Sequence, residues 1–547
     1  MSDKSSIAAA PPLRYITVAD AILEQLRLWG GQRIYGVVGD AIFGLMDAIA
    51  KQEAISFIAV KHESVAALMA SAEAKLTGRL GVCAAQMGPG LANLMNGLGD
   101  AFLDKAPVLA ITGQAPLNKI GTSCKQFINQ QQMVQAVSSY SELIVHPDTI
   151  YESLVQAMQT SVSSKTVSHL SIPMDVFALT TTLKPIMMQP AAVSTVDPSM
   201  IRHSLKLMKS ARRPILLVGG KARAHTAAIQ TVAEQWGCGI VLSYGASGTV
   251  PDSHPHMLHG IGEGGNPNVA GLFKQADVVL AIETTWWPEG LVPHQAQVVH
   301  IASDPVSLGV SMRMAAGLTG DITEILFNLM EELEPFVPDP DWIRQIKECK
   351  QTWYVQNDTE RNQATSPLHP ASIIKAVEQH IAEDAVIALD EGDSTLWFLR
   401  NFRAISQRVL LSERWRTMGA GLPAAIAAKL SSPDKQVICI SGDGGIGMVM
   451  ADLLTAVKYR LPVVVIVFNN GTLQMERDKM LMKGLQPEGT ELTNPDFAKV
   501  AEACGWNACQ IETVAQLETA LQQSLSGSKP VLLDVRTANI PHPDFKS

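Results

Sequence analysis

Short apolar runs alternate with longer segments of helical periodicity along most of the chain. In the first part, four runs rich in β-branched and small apolar residues have this character: RIYGVV, ISFIAV, LGVCAA and PVLAIT. Apolar strands that alternate with helices are typical of a parallel sheet covered on both faces. The pattern therefore predicts an α/β block over about residues 14–182.

The same alternation recurs twice further along the chain. A second block, about 199–333, has PILLVGG, GIVLSYG, VVLAIE and VVHIA as strands. A third, about 367–538, has AVIALDEG, RVLLSER, QVICISGDGG, PVVVIVFNNG and PVLLDVR. Weakly patterned linkers near 183–198 and 334–366 separate the blocks. We therefore expect an α/β protein built from three doubly wound parallel-sheet domains.

Composition and charge narrow the classes of partner. A chain of 547 residues is too long for one hydrophobic core, which agrees with three domains. Its net charge of −9 argues against nucleic acid, because phosphate binding requires a basic face. No apolar run approaches the roughly 18 residues of a membrane span. The seven dispersed cysteines contain no CxxC pair, which is typical of reduced thiols in the cytoplasm.

One segment of the third block carries candidate chemistry. QVICISGDGGIGMVMADLLTAVKYRLPVVVIVFNNG predicts a strand, a glycine turn at 442–445, a helix over about 446–459 and a strand over 462–468. Because such a crossover is right-handed, the carboxyl ends of the two strands lie side by side. Asp443 and Asn470, 470 − 443 = 27 residues apart, are therefore expected at neighbouring strand ends.

These two side chains suit a divalent cation. One carboxylate and one amide oxygen are suitable ligands for Mg²⁺, which completes its shell with phosphate oxygens and water. A main-chain carbonyl near Thr472 is a further candidate ligand. The sequence therefore predicts that Asp443, Asn470 and Thr472 hold magnesium beside a phosphate group.

The glycines between the strands suit the phosphate itself. Gly442, Gly444 and Gly445 let backbone N–H groups approach an anion at the start of the following helix. The segment GDGGIG also fits the dinucleotide pattern, which expects an acid at the end of the next strand. Here that strand ends in Asn469 and Asn470, which favours a metal-bound diphosphate. A glycine turn without a ligand is the other alternative.

GDG followed by NN at this spacing resembles the thiamine diphosphate motif. The whole chain, about 14–538, resembles the pyruvate oxidase and acetolactate synthase family through QMGPG (86–90), ITGQAP (111–116) and TMGAGLPAA (417–425). The tract GTELTNPDFAKVAEACG (489–505) is similar to bacterial pyruvate oxidases. The resemblance implies pyrimidine-binding, central and diphosphate-binding domains in that order, with thiamine diphosphate and Mg²⁺ as cofactors.

The resemblance also implies roles for single residues. Glu63 would hydrogen-bond the aminopyrimidine ring and promote loss of the C2 proton, and Met418 would wedge the two cofactor rings together. Gly392 and Thr417 are implied as further cofactor contacts. The alternatives are an ordinary helix-initiating carboxylate and a core methionine. Family members bridge Glu63 and Asp443 across two subunits, which implies a homodimer or homotetramer.

On the substrate side the chain departs from its relatives. Lys125 replaces a phenylalanine before Gln126. Glu476 lies where 2-oxo acid decarboxylases and flavin-free acetolactate synthases also carry a glutamate, and it could relay protons to the reaction intermediate. Lys125 and Lys479 could together hold an anionic acceptor, or they could be surface charges. Asp40 either faces the thiazolium ring or caps the helix that follows it.

Two departures in the central block argue against flavin. Relatives that bind FAD carry an acid in a tract of the form HIDxxP, whereas this chain has Ala302 there. An arginine common before that tract is replaced by a segment with Trp286, Trp287 and Glu289. A flavin that is bound without a redox role stays open.

The resemblance implies a lyase or carboligase acting on a small 2-oxo acid. The acetolactate-synthase-like reaction, transfer of the decarboxylated unit to a carbonyl acceptor, is the preferred interpretation. Plain decarboxylation and FAD-dependent pyruvate oxidation are alternatives. A non-catalytic regulatory subunit is a third, but a scaffold would not need Glu63, Met418, Asp443 and Asn470 together.

Overall fold

The computed structural model describes residues 14–188, 196–284, 286–288, 290–291, 294–309, 312–333 and 336–545. Glu289 and parts of both predicted linkers lie outside these residues. The chain forms two compact units, Met1–Pro190 and Ala191–Ser547, of which the second contains two large sheets.

The first unit is built on a six-stranded parallel sheet. Numbered in chain order, its strands are arranged 2-1-3-4-6-5. They are Arg33–Gly36, Ser56–Ala59, Gly81–Ala85, Val108–Gln114, Tyr140–Leu143 and Val167–Pro173. A short antiparallel pair joins Ile16–Thr17 to Thr180–Thr181. The α-helices are Val18–Leu28, Phe43–Ala50, Glu63–Thr77, Pro89–Leu103, Gln130–Val134 and Ile150–Ser164.

Two strands of this sheet were not predicted, because polar residues interrupt their apolar pattern. His169 is fully buried in the last strand, where its ring nitrogens pair with Thr112 Oγ1 (2.8 Å) and Ser141 Oγ (2.9 Å). A buried histidine whose hydrogen bonds are satisfied is compatible with a core strand.

The central sheet of the second unit has a different order, 3-2-1-4-5-6. Its strands, all parallel, are Pro214–Val218, Gly239–Leu242, Met257–Gly260, Val278–Ile282, Gln297–Ala302 and Ala316–Thr319. Its helices are Pro198–Ser210, Thr226–Trp236, Val269–Phe273, Ile322–Leu333 and Pro340–Arg361. This strand order is that of dinucleotide-binding folds.

The last sheet repeats the order of the first, 2-1-3-4-6-5. Its parallel strands are Val386–Leu389, Arg408–Leu410, Val437–Gly442, Val464–Asn469, Asn507–Ile511 and Val531–Arg536. Its helices are Pro370–His380, Asp393–Asn401, Gly421–Ser431, Asp443–Val449, Leu453–Lys458, Gln474–Met482, Phe497–Ala503 and Val514–Ser524. The α/β fold class is confirmed, whereas the three domain boundaries stay a prediction.

The crossover after Val437–Gly442 differs from its prediction. The helix begins at Asp443 rather than near 446, and a 3₁₀ turn at Met450–Asp452 interrupts it. The predicted glycine turn is therefore wrong: Gly444 and Gly445 lie in the first helical turn. At both positions neighbouring atoms leave little room for a side chain. A Cβ on Gly445 would lie 2.6 Å from Asp390 Oδ2.

None of the helices in the described part of the chain is long and apolar enough to cross a lipid bilayer.

Candidate functional site

Asp443 is the centre of a hydrogen-bonded cluster at the carboxyl end of the last sheet. Its Oδ2 accepts the N–H groups of Asn470 (3.1 Å) and Gly471 (2.7 Å). The same oxygen accepts Nδ2 of Asn494 (2.8 Å), and Oδ1 accepts the N–H of Gly444 (2.9 Å). The structure thus brings Asp443 and Asn470 together, as their spacing predicts.

Asn494 is a member of this cluster that sequence reasoning did not single out. Besides Asp443, its Nδ2 donates to Asn469 Oδ1 (3.1 Å), and Asn469 in turn donates to Asp534 (2.8 Å). In the sequence, the only sign of a role for Asn494 is its position inside the tract 489–505, which is similar to bacterial pyruvate oxidases. Asn494 fixes the orientation of the Asp443 carboxylate.

The donor set around Asp443 fits a magnesium ion that also binds phosphate. Burial raises the pKa of Asp443, which is 3% exposed, so a neighbouring cation would favour its ionised form. Asn470 Oδ1 accepts the N–H of Thr472 at a long 3.2 Å, and the Thr472 carbonyl accepts Gln474 N–H (2.9 Å). Among the described residues, no group of three or more His, Cys, Asp or Glu side chains could hold a metal. A magnesium ion bound by Asp443 and Asn470 would complete its shell with phosphate oxygens and water.

A pocket opens beside this cluster. Nine of the predicted site residues line it: Gly392, Met418, Gly442, Asp443, Gly444, Gly445, Asn470, Thr472 and Glu476. Phe468, Leu473 and Met475 add apolar surface. Thr417 is not among the lining residues, although it adjoins Met418.

Several buried polar atoms around the pocket lack a partner within the described structure. They are Glu391 Oε2, Asp393 Oδ1, Ser394 Oγ and Gln474 Oε1, and all four residues line the pocket. Burying a polar atom without a hydrogen bond is unfavourable, so native proteins rarely keep such a group without a ligand or water. Their concentration here fits a pocket that receives a polar ligand.

Asp393 is a carboxyl group whose environment opposes ionisation. It is the first residue of the helix Asp393–Asn401, and Gly392 before it has φ +139°. Burial and the neighbouring acid Asp478 raise the pKa of Asp393 to about 8. A protonated Asp393 would not repel a phosphate group, whereas an ionised one would.

Asp390 ties the predicted wedge residue to the sheet. Its carboxylate accepts the N–H of Gly419 (2.7 Å) and Oγ of Ser441 (2.9 Å). Gly419 directly follows Met418 and has φ +80°, a conformation that glycine adopts without strain. Met418 Cε lies 3.0 Å from the place where a Cβ on Gly444 would be. Sequence reasoning missed Asp390, which is 1% exposed and ends an apolar run.

Glu63 opens an Ala-rich helix in the first unit, as predicted. The helix is Glu63–Thr77, and the His62 side chain caps it. Glu63 Oε2 accepts Nδ2 of Asn93 (2.9 Å). This geometry suits both a helix-initiating carboxylate and the predicted role towards the pyrimidine ring, so that role stays a prediction.

Asp40, Lys125 and Gln126 lie together in the first unit around a fourth residue, Gln86. Gln86 Nε2 donates to Asp40 Oδ1 (2.5 Å) and Gln126 Oε1 (3.0 Å). Lys125 Nζ lies 3.7 Å from Asp40 Oδ2. The alternative in which Asp40 caps a helix is not supported, because neither of the helices that start at Asp40 and Phe43 has a side-chain cap. Gln86 was within reach of sequence reasoning, since it begins the QMGPG segment.

Glu476 lines the pocket in the second unit, and Lys479 is its neighbour on the same helix. Glu476 is about half exposed, and its Oε1 lies 3.3 Å from Lys479 Nζ. Lys125, in the other unit, is 74% exposed. Each lysine thus has an acid neighbour, and a common anion site for the two stays a prediction.

The residues predicted to disfavour flavin are at defined positions in the central sheet. Ala302 is the last residue of the strand Gln297–Ala302. Trp286 lies 3.2 Å from the place where a Cβ on Gly262 would be. Glu289 lies outside the described residues, and absence of FAD stays a prediction.

Comparison with known sequences agrees with this geometry. Residues 16–138, 201–329 and 390–535 match the N-terminal TPP binding, central and C-terminal TPP binding domains of thiamine pyrophosphate enzymes. A putative thiamine pyrophosphate-containing protein of Bacillus subtilis is 34% identical over 96% of this chain and 92% of its own length. A pyruvate oxidase of Lactiplantibacillus plantarum is 29% identical over 97% of this chain and 90% of its own length. An acetolactate synthase of Arthrospira platensis is 30% identical over 96% of this chain and 94% of its own length.

Proposed function

Because the chain belongs to the thiamine pyrophosphate enzyme family, we propose that it is a magnesium-dependent enzyme that decarboxylates a small 2-oxo acid. It transfers the remaining unit to a carbonyl acceptor, as an acetolactate synthase does. The observation that carries the proposal is the Asp443 carboxylate, which lines the pocket and is oriented by Asn470, Gly471 and Asn494.

Different residues of the pocket would bind the metal, the diphosphate and the two rings of the cofactor. Asp443, Asn470 and the Thr472 carbonyl would hold Mg²⁺, and the backbone from Gly442 to Gly445 with Ser394 would receive the diphosphate. Thiamine diphosphate, when bound, supplies a nucleophilic carbon and an electron sink. Met418, in the loop anchored through Gly419, would keep the two cofactor rings in contact.

Other residues of the pocket would act on the substrate, by transferring a proton or by forming an apolar lining. Glu476 lines the pocket and could move a proton to or from the reacting carbon. Phe468, Leu473 and Met475 line the same space and would limit the access of water to it. A dry site favours loss of a carboxylate, because charge becomes dispersed as CO₂ departs.

The proposed activating acid, Glu63, lies in a different unit of the chain from the pocket. Glu63 belongs to the first unit and Asp443 to the second, and in the proposed homodimer or homotetramer Glu63 would act in the site of a second copy. The same copy that contributes Glu63 would also contribute Lys125, Gln126 and Asp40, which would face the substrate. A cytoplasmic location is part of this proposal.

Pyruvate oxidation is a second candidate, because one relative at 29% identity is named pyruvate oxidase. Ala302 in place of an acid in the central domain supports the flavin-free reaction instead.

Product analysis tests the proposal. Purified protein is incubated with thiamine diphosphate, Mg²⁺ and a panel of 2-oxo acids that includes pyruvate, and Asp443→Ala is the control. Release of CO₂ with acetolactate supports carboligation, acetaldehyde indicates plain decarboxylation, and acetate with a flavin absorption band indicates oxidation. If no 2-oxo acid yields CO₂, the proposed reaction is wrong.

A further inference from the structure

Glu391 is a buried acid in the pocket that none of the roles above uses. It follows Asp390 after the strand Val386–Leu389, and it lines the same pocket as Met418 and Glu476. It is only 6% exposed, and its Oε2 has no hydrogen-bond partner in the described part of the chain. A carboxyl oxygen left in this state is available to a ligand.

The charged groups around Glu391 come from three other segments of the chain. Arg416, in the loop before Met418, has Nη1 3.8 Å from Glu391 Oε1. The same Nη1 lies 2.5 Å from Glu263 Oε2, so the guanidinium is bonded primarily to Glu263. Lys479 also faces Glu391, but it pairs with Glu476. Both cations therefore have a closer acid partner, and Glu391 keeps only the 3.8 Å contact of its Oε1 with Arg416.

The position of Arg416 is itself unusual. Its φ is +53°, in the left-handed region that residues with a side chain rarely adopt, and its guanidinium packs 4.2 Å from the ring of Tyr244. Strained backbone persists where surrounding contacts hold it, and it is concentrated at functional sites. The Arg416 side chain thus connects the central domain, through Glu263, to the wall of the pocket.

The surroundings hold Glu391 close to its point of ionisation at neutral pH. Burial raises the pKa of Glu391 to about 7, and the negative charges of Asp390 and Glu263 add to the rise. Arg416 and Lys479 act in the opposite direction. The neutral carboxyl donates one hydrogen bond, whereas the ionised form can only accept.

We propose that Glu391 positions the donor substrate by donating a hydrogen bond from its neutral carboxyl group to the carboxylate of the 2-oxo acid. When Glu391 is ionised, two carboxylates face each other in a buried pocket and the substrate is repelled. Binding of the anion therefore requires a protonated Glu391. Above neutral pH, where Glu391 is ionised in the free protein, binding is accompanied by the uptake of one proton. This inference rests on the proposed function, because it assumes an anionic donor.

Calorimetry on the unaltered holoenzyme tests the proton uptake directly. Oxamate, an unreactive analogue of pyruvate, is titrated into protein loaded with thiamine diphosphate and Mg²⁺. Two buffers of different ionisation enthalpy are used at a series of pH values. We expect proton uptake above neutral pH and an oxamate affinity that falls about tenfold per pH unit there. kcat/KM for any donor that is turned over should fall in parallel.

Three variants assign the effect to Glu391. Glu391→Gln keeps a donor that cannot ionise, so it should retain affinity and lose the pH dependence. Glu391→Ala should bind more weakly than wild type at low pH. Glu378→Gln makes the same chemical change at a carboxylate that pairs with Arg361 outside the pocket, and it should keep the wild-type slope.

The possible failures are distinguishable. If 2-oxo acids are turned over but neither oxamate binding nor kcat/KM shows the expected slope, Glu391 does not have this role and the proposed function stands. If the pH dependence of oxamate affinity persists in Glu391→Gln, Glu391 likewise does not have this role, and the proposed function stands. If there is neither turnover nor oxamate binding, both proposals are wrong.

Discussion

Oδ1 of Asp390 accepts the N–H of Gly419 (2.7 Å), so that a buried acid at one strand end fixes the loop that carries Met418. The other oxygen of this carboxylate bonds to Ser441, at the end of the neighbouring strand. Asp390 thereby joins the loop and two strands, and it bounds the space occupied by Gly445. One side chain therefore supports three segments that border the pocket.

Replacing Asp390 should therefore loosen the pocket. Asp390→Ala leaves buried donors without an acceptor, which we expect to lower the free energy of unfolding by about 2–3 kcal/mol. Chemical denaturation measures the stability, and quenching of tryptophan fluorescence measures thiamine diphosphate affinity, which should fall as well. Ser441→Ala removes one of the bonds and should have a smaller effect. Unchanged cofactor affinity in Asp390→Ala would contradict the positioning role.

Asn494 should support the metal site through Asp443. Asn494→Ala removes the Nδ2 donor to the carboxylate, and we expect magnesium affinity to fall about 10- to 100-fold, as for other residues that orient a metal ligand. Magnesium titration of cofactor binding measures this change. Thr490→Ser, a conservative change next to the cluster, serves as the control. Equal magnesium affinity in Asn494→Ala and wild type would show that the hydrogen bond is dispensable.

Metal removal should release the cofactor. Chelation by EDTA is expected to abolish turnover and to lower thiamine diphosphate affinity, because the diphosphate loses its bridging cation. Added Mg²⁺ should restore both in wild type but not in Asp443→Ala. Retention of tightly bound cofactor in the presence of chelator would contradict a magnesium bridge.

Asp393 should make the stability of the protein depend on pH. Its pKa is raised from 3.8 to about 8 by burial and by Asp478, so the folded protein holds a proton that the unfolded chain releases. Its contribution to stability is therefore greatest below about pH 4 and is lost as the pH rises through about 8. Asp393→Asn cannot ionise, so the melting temperature of this variant relative to wild type should rise between pH 5 and pH 9, on the order of a few degrees. A difference that does not vary with pH would contradict the raised pKa.

The shared site can be tested by complementation. Glu63→Ala and Asp443→Ala should each be inactive alone, because one lacks the activating acid and the other lacks the metal ligand. If Glu63 acts in the site of a second copy, a mixed dimer contains one intact site, and mixing the two variants after partial dissociation should recover activity. Mixing two portions of the same variant is the control. Failure of the mixture, with mixed oligomers shown to form, would argue against a site shared between copies.

Much of the fold was predictable because local pattern and tertiary packing agree. The strands Val437–Gly442 and Val464–Asn469 are continuous apolar runs, and one right-handed crossover brings their ends together. Strands such as Tyr140–Leu143 and Asn507–Ile511 were missed because they are sheet edges with exposed positions and mixed polarity. Edge strands bury less surface, so their sequences carry a weaker pattern.

The sequence by itself determined the α/β class, the family and the pairing of Asp443 with Asn470, because each depends on residues close together along the chain. Only the tertiary structure revealed that Asn494 contacts Asp443, that Asp390 bonds to Ser441 and that Glu391 lines the pocket. Their roles come from burial, from hydrogen bonds across distant segments and from the sum of surrounding charges. Such properties belong to the folded surroundings of a side chain, and no local pattern of residues encodes them.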